Sequence, residues 1–295
     1  MKHIIFGNKG QLGSAIYNIL KAQNMEVLGY DLPDYDIANF LLISRIINEQ
    51  KPDIVINCAA FNEVDAAEID FENAYKTNAA GVENLAMVCK REKAKLVHFS
   101  TDYVFDGRRY ISGFYSEEDT PAPINNYGKT KLEGENFISK HLDNALVFRT
   151  SWLYGDGTNN FLYKLEQWSK ENRILKIVND EFSIPTSARI VANTALKAIN
   201  HNLNGLYNLT CTGYCSRYDF AKVYFDEKNK EQIIYPCATK DVFSFTKRPA
   251  FSALSNTKIC EKLQIELPHW KDELISYLHK DDKTHPNLVK LHIEL

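Results

Sequence analysis

The most informative pair of side chains is Tyr127 and Lys131, which stand four positions apart in the segment Tyr-Gly-Lys-Thr-Lys. On a helix this spacing places both side chains on one face, one turn apart. A nearby ammonium stabilises a phenolate, so the pair suits a proton-donating tyrosine whose pKa is lowered by lysine. Thr101 lies at the expected carboxyl end of a strand, where its hydroxyl can bond a substrate carbonyl. Because such pairs also arise by chance on helices, this chemistry needs the support of a cofactor site.

A glycine-rich loop supplies that support. After an apolar segment at residues 2–6, the chain reads Gly7-Asn8-Lys9-Gly10-Gln11-Leu12-Gly13, a G-x-x-G-x-x-G pattern. Glycines permit a tight turn and close approach to a pyrophosphate, which the amides of the following helix then bind. Asp31 ends the second expected strand, where its carboxylate can accept hydrogen bonds from a ribose diol. Strand, loop, helix and acidic residue together predict a dinucleotide site.

The sequence leaves the choice between NADPH and NADH open. Asp31 repels a 2′-phosphate and favours NADH, whereas the ammonium of Lys9 attracts the same phosphate. Asp36 and Ile37 are expected beside the adenine, and small residues after the third strand leave room for the cofactor. The predicted cofactor-binding residues are Gly7, Lys9, Gly10, Gln11, Leu12, Gly13, Asp31, Asp36, Ile37, Ala60, Phe61 and Asn62.

Short apolar segments alternate with longer amphipathic ones through the first half of the chain. Strands are predicted at residues 2–6, 26–30, 53–57, 95–99 and 145–149. Helices are predicted at residues 11–23, 39–49, 71–91 and 127–141. Strands separated by amphipathic helices form βαβ units around a parallel sheet with both faces covered. The predicted fold class is therefore α/β, a Rossmann-like doubly wound parallel sheet.

From Trp152 onward the pattern loosens and predicts a smaller C-terminal α/β lobe over the carboxyl edge of the sheet. Helices are expected at 160–170, 190–200, 218–226 and 271–278, with short strands at 175–178 and 206–209. We therefore expect an NAD(P)-binding domain at residues 1–151 and a mainly substrate-binding lobe at residues 152–295. The tail at residues 279–295 receives no predicted role.

Charge and composition exclude other classes. The 295 residues include 35 Lys and Arg against 38 Asp and Glu, so the net charge of −3 gives no basis for binding nucleic acid or an anionic membrane. No apolar segment is long enough to span a bilayer and no leader precedes the first strand, which predicts a cytoplasmic protein. Cys211 and Cys215 lack a second Cys or His cluster, so no metal site is expected.

Four segments carry a resemblance to a known family. They are Gly7–Gly13, Ser100–Gly107, Tyr127–Glu135 and Arg149–Gly155. These segments resemble the extended short-chain dehydrogenase/reductases, and most closely the dTDP-4-dehydrorhamnose reductase family. Further similarity at residues 179–180, 185–186 and 248–249 extends the resemblance to about residue 278. The combination of Ser-Thr-Asp-Tyr-Val-Phe, Tyr-Gly-Lys-Thr-Lys and Arg-Thr-Ser-Trp separates this family from the wider superfamily.

The resemblance implies that NAD(P)H reduces the C4 keto group of dTDP-4-dehydro-L-rhamnose to give dTDP-L-rhamnose for cell-surface polysaccharide. It implies that Tyr127 protonates the developing alkoxide, that Lys131 lowers the pKa of Tyr127 and holds the nicotinamide ribose, and that Thr101 polarises the carbonyl. The implied substrate-binding residues are Val64, Asp102 and Trp152 around the sugar and Arg248 at the diphosphate. The expected partners are the dTDP-sugar and, in a homodimer, a second copy of the chain.

Two features depart from the family pattern. Some relatives bridge a dimer through metal-bound acidic residues, one of them on the first helix, and the matching position here is Ala15. The metal is therefore not carried over to this chain. The segment Glu181–Thr186 lacks the glycine or alanine common before Pro-Thr, which bears on substrate contacts.

Other activities on the same scaffold stay open. A dehydratase would need adjacent carboxylates after the threonine, but Asp102 is followed by Tyr103, which disfavours that activity. An epimerase can share the same triad, and a reductase of another deoxysugar nucleotide would differ in its sugar pocket. A non-catalytic NADP-binding regulatory subunit, similar to that of methionine adenosyltransferase, shares Tyr-Gly-Lys-Thr-Lys. The segment Arg149–Trp152, which reads Arg-Thr-Ser-Trp, resembles the reductases rather than the regulatory subunit.

Overall fold

A central sheet of parallel strands organises the computed structural model, which describes residues 1–109, 113–241 and 246–280. The strands are β1 (Lys2–Phe6), β2 (Glu26–Tyr30), β3 (Ile54–Asn57), β4 (Lys95–Thr101), β5 (Leu146–Thr150), β6 (Leu153–Tyr154), β7 (Ile174–Val178), β8 (Phe182–Ser183), β9 (Thr186–Ser187), β10 (Gly205–Asn208), β11 (Cys215–Ser216) and β12 (Ile233–Cys237). The central sheet has six strands in the order β10-β5-β4-β3-β1-β2, and every neighbouring pair is parallel. The α/β fold class expected from the sequence is confirmed.

Helices connect these strands. They are α1 (Gln11–Ala22), α2 (Phe40–Gln50), α3 (Val64–Ile69), α4 (Phe71–Tyr75), α5 (Gly81–Glu92), α6 (Asn126–His141), α7 (Phe161–Glu171), α8 (Ala188–Asn200), α9 (Arg217–Glu227), α10 (Thr257–Leu263) and α11 (Trp270–Leu278). A π-helical segment, Lys76–Ala80, joins α4 to α5, and short 3₁₀ turns span Asp102–Val104 and Thr239–Asp241. Within the described ranges, each helix is too short or too polar to cross a membrane.

Successive side chains of a strand point to opposite faces of the sheet, and helices cover both faces of the central sheet. Side chains of one face pack in the same core as α2, α5 and α6, and they include Ile4, Phe6, Val55, Leu96 and Val147. Side chains of the other face pack with α1 and α8, and they include Ile5, Ile56, Val97, Phe99 and Phe148. The near-continuous apolar strands of the sequence therefore reflect burial on both sides.

The strand order reverses at β1, which has β2 on one side and β3 on the other. In open α/β sheets, ligands bind in the crevice outside the carboxyl ends of the strands at this reversal. The glycine loop follows β1, and Thr101 ends β4, so both stand at that edge. The sheet thus brings the two motifs together although about ninety residues separate them.

Two elements differ from the sequence-based expectation. The helix expected at residues 71–91 contains the π-helical segment, which inserts a wider turn between α4 and α5. The strand expected at residues 206–209 was assigned to the C-terminal lobe, yet β10 pairs with β5 at the edge of the central sheet. Apolar periodicity identifies a strand but carries no information about which sheet the strand joins. Residues after 152 therefore complete the central sheet as well as forming the lobe.

The C-terminal lobe is built from short strand pairs and helices. Its pairs are β6 with β9, β7 with β12, and β8 with β11. Aromatic contacts fill its interior, including Tyr154 against Phe220 and Phe220 against Trp270. The lobe lies beside the carboxyl edge of the sheet, where isolated bridges tie Arg108 to Phe251 and Tyr115 to Leu254.

Candidate active site

Two adjoining clefts open at the carboxyl edge of the central sheet. The loop cleft, of about 490 Å³, extends from the glycine loop to α6 and is lined by residues that include Gly10, Leu12, Thr101, Tyr127 and Lys131. The lobe cleft, of about 390 Å³, faces the C-terminal lobe and is lined by residues that include Val64, Tyr103, Trp152, Arg217 and Arg248. Asn62, Trp152, Leu153 and Asn159 line both clefts. The shared wall makes the two clefts neighbouring compartments of one site.

Lys131 lies at the floor of the loop cleft and is only 2% exposed. Its Nζ donates a hydrogen bond of 2.6 Å to the carbonyl of Phe99. Burial lowers the pKa of Lys131 to about 8, and the negative charge of Glu135 opposes that shift. The ammonium is therefore fixed against the β4 backbone and is predominantly protonated at neutral pH.

Tyr127 is buried one helical turn before Lys131, and its ring meets that of Tyr103 edge-on at 5.9 Å. Burial raises the pKa of Tyr127 well above its usual value, while a hydrogen bond from Thr101 favours the phenolate. The expected role of Lys131 in lowering the pKa of Tyr127 stays a prediction. The Lys131 amino group is held by the Phe99 carbonyl, and removal of the phenol from water dominates. The phenol keeps its proton at neutral pH, as a proton donor must.

Asp102 follows Thr101 and is held by three hydroxyl groups. Ser183 Oγ donates to its Oδ2 at 2.8 Å, Ser252 Oγ donates to the same oxygen, and Thr101 Oγ1 donates to its Oδ1 at 3.2 Å. Burial raises the pKa of Asp102 to about 6, although these hydrogen bonds act in the opposite direction. The expected sugar-binding carboxylate therefore also joins β4 to two segments of the second half of the chain. Spacing within the sequence gave no signal for Ser183 or Ser252.

A buried ion pair, which the sequence analysis missed, lies on the same face of α6 as Tyr127 and Lys131, one turn further along the helix. Arg149 bonds Glu135 through two nitrogens, with Nη2 2.6 Å from Oε2 and Nε 3.0 Å from Oε1. Ser100 Oγ donates to the same Glu135 carboxylate. Glu135 stands four positions after Lys131, so the spacing Tyr-x₃-Lys-x₃-Glu on one helix face was a usable signal. This network fixes α6 to β4 and β5 beneath the site.

Asn78, in the π-helical segment, is a second residue that the sequence analysis missed. Its side chain accepts from the Phe61 amide at 2.9 Å and donates to the Phe61 carbonyl at 3.0 Å. It also donates to Thr130 Oγ1 at 3.2 Å, beside Lys131 on α6. Asn78 thus links the segment after β3 to the catalytic helix. π-Helical turns occur frequently at functional sites, but the sequence carried no marker of this one.

The glycine loop has the backbone geometry that a dinucleotide requires. Gly7 has a φ of +79°, and a Cβ there would stand 2.5 Å from the Ala59 nitrogen. A Cβ on Gly13 would stand 2.1 Å from the Gly7 carbonyl oxygen, so α1 packs on the loop only if this residue is glycine. Helix α1 begins at Gln11, and its N-cap residue Gly10 provides no side-chain cap, which leaves the amides of the first turn for an anion. These residues fit a dinucleotide.

The other predicted cofactor residues divide into two groups. Lys9, Gln11, Ala60 and Asn62 line the loop cleft with Gly10, Leu12 and Gly13. Asp31 accepts a 2.6 Å hydrogen bond from the Lys9 amide, so it is tied to the glycine loop. Asp36 forms an ion pair with Lys76 at 3.0 Å, Ile37 is buried in the core beside α5, and Phe61 is held by Asn78. Asp31, Asp36, Ile37 and Phe61 are not part of either cleft wall.

Three of the predicted substrate residues, Val64, Trp152 and Arg248, line the lobe cleft, whereas the fourth, Asp102, lines the adjoining loop cleft. Trp152 has a φ of +38°, in the left-handed region that a bulky residue rarely adopts. Arg248 Nη2 donates to Asp65 Oδ2 at 2.8 Å. Arg217 also lines this cleft, and no motif in the sequence had indicated it.

The positions considered for a metal have other roles. Cys211 and Cys215 are buried free thiols, and Ala15 packs against the core from α1. No group of three or more candidate metal ligands occurs among the residues that the structure describes.

A Rossmann-like sheet, a glycine loop without a side-chain cap and a buried Thr-Tyr-Lys set beside it define an NAD(P)H-dependent oxidoreductase. The chain belongs to the RmlD substrate binding domain family, whose model matches residues 1–282. The resemblance inferred from the motifs is thereby confirmed.

Individual relatives cover nearly the whole chain. It is similar to the spore coat polysaccharide biosynthesis protein SpsK of Bacillus subtilis, with 34% identity over 279 residues, 95% of this chain and 97% of SpsK. It is similar to the crystal structure of a dTDP-4-dehydrorhamnose reductase from Clostridium acetobutylicum, with 40% identity and a TM-score of 0.91 over 95% and 99% of the two chains. It is also similar to the Bacillus anthracis dTDP-4-dehydrorhamnose reductase in complex with NADP, with 34% identity and a TM-score of 0.91 over 95% and 100%.

Proposed function

We propose that this protein reduces the C4 keto group of dTDP-4-dehydro-L-rhamnose with NAD(P)H, giving dTDP-L-rhamnose for cell-surface polysaccharide synthesis. The observation that carries the proposal is the position of Thr101, Tyr127 and Lys131 in the wall of the loop cleft, next to the lobe cleft. Two similar solved structures bear the name dTDP-4-dehydrorhamnose reductase, and the similarity to SpsK supports a role in polysaccharide synthesis.

The loop cleft is the proposed cofactor site. The pyrophosphate is assigned to the α1 N-terminus and glycine loop, and the ribose diol to Asp31. Bound NAD(P)H supplies a hydride to the substrate carbonyl carbon. The proposed cofactor-binding residues are Gly7, Lys9, Gly10, Gln11, Leu12, Gly13, Asp31, Asp36, Ile37, Ala60, Phe61 and Asn62. The NADP complex of the Bacillus anthracis relative supports NADPH as one of the two cofactors.

Proton delivery is assigned to Tyr127. Since burial raises its pKa, the phenol is protonated at neutral pH and gives that proton to the carbonyl oxygen as the C4 alcohol forms. Thr101 turns its single hydroxyl proton from Asp102 Oδ1 to the same carbonyl oxygen before transfer, and its hydrogen bond then stabilises the phenolate that remains. Lys131 keeps a positive charge near that phenolate and holds the nicotinamide ribose, with its position fixed by Phe99.

The lobe cleft is the proposed sugar-nucleotide site. Val64, Asp102 and Trp152 are assigned to the sugar and Arg248 to the diphosphate, where its planar group suits paired phosphate oxygens. In this assignment residues 1–151 bind NAD(P)H and residues 152–295 mainly bind the substrate, with β10 of the second part completing the central sheet. A homodimer and a cytoplasmic location belong to the same proposal.

The test is loss of reduced-nicotinamide absorbance with dTDP-4-dehydro-L-rhamnose, run with NADPH and with NADH, and identification of the product. We expect oxidation of at least one cofactor and formation of dTDP-L-rhamnose in equal amount. Tight cofactor binding without oxidation would reject this substrate and direct the search to other keto-deoxysugar nucleotides. If none of these nucleotides leads to oxidation of the cofactor, the alternative of a non-catalytic regulatory subunit remains.

A further inference from the structure

Arg217 is a cationic residue of the lobe cleft that the proposed mechanism does not yet use. It is the first residue of α9, and its guanidinium carbon lies 4.2 Å from the Trp152 ring centroid and 5.1 Å from that of Phe161. A planar guanidinium stacks favourably on aromatic faces. Two rings and the helix start therefore fix the position of this charge, unlike that of a free surface arginine.

The hydrogen bonding of Arg217 is incomplete. Its Nε lies 3.4 Å from Glu181 Oε2, which is the one hydrogen-bond acceptor that the described part of the chain provides to this side chain. A guanidinium carries five N–H donors in a planar fork. The two Nη groups are left to solvent or to a ligand in the cleft, since Arg217 belongs to the cleft wall.

Arg217 and Arg248 come from separate segments of the chain, and both line the lobe cleft together with Tyr103. Burial raises the pKa of Tyr103 to about 12, and the positive charges of both guanidinium groups oppose that rise. Glu181 and Asp65 balance their charges and hold the two side chains in place.

We propose that Arg217 is a second diphosphate-binding residue, which with Arg248 holds the two phosphates of the sugar nucleotide over Tyr103. Paired arginine forks match the charge and the oxygen geometry of a diphosphate. The Trp152 ring lies under the same guanidinium and lines both clefts, so diphosphate binding also positions the ring beside the reacting sugar. This inference rests on the proposed function.

The experiment measures binding of dTDP, dTMP and thymidine by calorimetry to the wild type and to Arg217→Gln, Arg217→Lys and Arg248→Gln. We expect Arg217→Gln to weaken dTDP binding about 10- to 100-fold, since a hydrogen bond to a charged group is lost. Arg248→Gln should cause a similar loss, and thymidine binding should be unchanged in both. Arg217→Lys should fall between wild type and Arg217→Gln, because lysine keeps the charge but not the fork. Arg108→Gln removes the same charge from an 86% exposed side chain outside the cleft walls and serves as the control.

The outcomes separate the two proposals, and NADPH binding verifies the fold of every variant. Unchanged dTDP affinity in Arg217→Gln, or equal losses for dTDP and thymidine, would overturn the role of Arg217 and leave the proposed function standing. Binding of UDP in place of dTDP, with the same dependence on Arg217, would uphold the Arg217 assignment and reject the proposed nucleotide. Absence of binding to any nucleoside diphosphate by the wild type would overturn both.

Discussion

The two clefts of the site are built in different ways. The loop cleft depends on backbone: a glycine turn, the exposed amides of α1, and a carbonyl of β4 that holds Lys131. The lobe cleft depends on side chains that meet from remote segments, such as Arg248 with Asp65, 183 positions apart, and Asn159 with Glu63, 96 positions apart. A cleft made from local backbone can be inferred from a short motif, whereas a cleft made from remote side chains requires the assembled fold.

The two constructions meet at Thr101, Asp102 and Tyr127. Thr101 and Tyr127 come from motifs of the first half, while Asp102 is held by serines of the second half. Substitution of Thr101 or Tyr127 at this junction should affect the chemical step and leave binding in both clefts intact. Substitution within one cleft should affect the ligand of that cleft. The predictions below test this division, from the largest expected effect to the smallest.

Removal of the Tyr127 hydroxyl should have the largest effect. In Tyr127→Phe we expect turnover to fall about 10²- to 10⁴-fold, the usual contribution of a positioned general acid. NADPH and dTDP affinities should stay close to those of the wild type, because the aromatic ring and its packing against Tyr103 remain. Reduced-nicotinamide absorbance measures turnover, and calorimetry measures both affinities.

Tyr235→Phe is the matched control for that experiment, since Tyr235 is an exposed side chain on β12, outside both cleft walls. It should turn over as the wild type does. Full activity in Tyr127→Phe would remove the proton-donor role. If Tyr127→Phe lost dTDP or NADPH binding together with turnover, Tyr127 would be required for ligand binding as well as for the chemical step.

The buried ion pair between Glu135 on α6 and Arg149 on β5 should dominate the stability of the catalytic helix. Glu135→Gln leaves the Arg149 guanidinium in the core without its counter-charge. Breaking a buried pair in this way costs about 3–5 kcal/mol of unfolding free energy. Denaturant unfolding measures the change.

Glu83→Gln is the comparison for this pair, because Glu83 contacts His141 and Lys140 near the surface, where such contacts contribute at most about 1 kcal/mol. If Glu135→Gln proves no more destabilising than Glu83→Gln, the catalytic helix is held by packing rather than by the ion pair.

Asp102, which accepts hydrogen bonds from Ser183 and Ser252 of the second half, should make the unfolding free energy depend on pH. Its pKa in the folded protein is about 6, above the value of 3.8 for an unfolded chain, because burial disfavours the charge. A raised pKa means that the stabilising contribution is complete below about pH 4 and is lost as the pH rises through 6. Between pH 4 and pH 7 the unfolding free energy of the wild type should therefore fall relative to Asp102→Asn. The difference is at most about 3 kcal/mol, since one pKa unit corresponds to about 1.4 kcal/mol.

The measurement is denaturant unfolding of both proteins at several pH values. The same subtraction for Asp226→Asn, an exposed carboxyl on α9, gives the background of a surface site over the same range. A flat difference between wild type and Asp102→Asn would mean that the serine hydroxyls compensate burial completely. An opposite slope would mean that they bind the charged form more strongly than water does.

Local sequence accounted for most of the first half of the fold. β1 and β2 have the expected bounds, and α6 begins at Asn126, one residue before the expected position, because Asn125 caps it through the Gly128 amide. Strand alternation, helix periodicity and caps are properties of neighbouring residues, so a single sequence contains them. The placement of β10 in the central sheet was missed, since pairing with β5 is a property of the assembled chain.

The candidate site divides along the same line. Thr101, Tyr127, Lys131 and the glycine loop were found from spacing, and they line the loop cleft together. Arg217 was missed, because its importance depends on stacking against Trp152, 65 positions earlier in the chain. Asn78 was missed because a π-helical turn, which no residue pattern marked, brings it to Phe61. Spacing predicts which residues share an element, and the packing of elements decides which residues meet.

The smallest expected effect is at the glycine loop and tests the independence of the clefts directly. A Cβ at Gly13 would lie 2.1 Å from the Gly7 carbonyl oxygen, so Gly13→Ala must shift the backbone of the loop or of α1. Overpacking of this kind costs about 1–3 kcal/mol. At Gly10 the nearest atom to an added Cβ is 3.4 Å away, so Gly10→Ala should fold normally and place a methyl group in the wall of the loop cleft.

Both variants should therefore bind NADPH more weakly, only Gly13→Ala should lose stability, and both should bind dTDP as the wild type does. Calorimetry with each ligand and denaturant unfolding give the required values. A parallel loss of dTDP affinity in Gly10→Ala, which leaves the lobe cleft untouched, would show that the shared wall at Asn62 and Trp152 transmits changes between the clefts. Unchanged dTDP affinity would mean that the backbone-built cleft and the side-chain-built cleft bind their ligands independently and are joined only at the reacting groups.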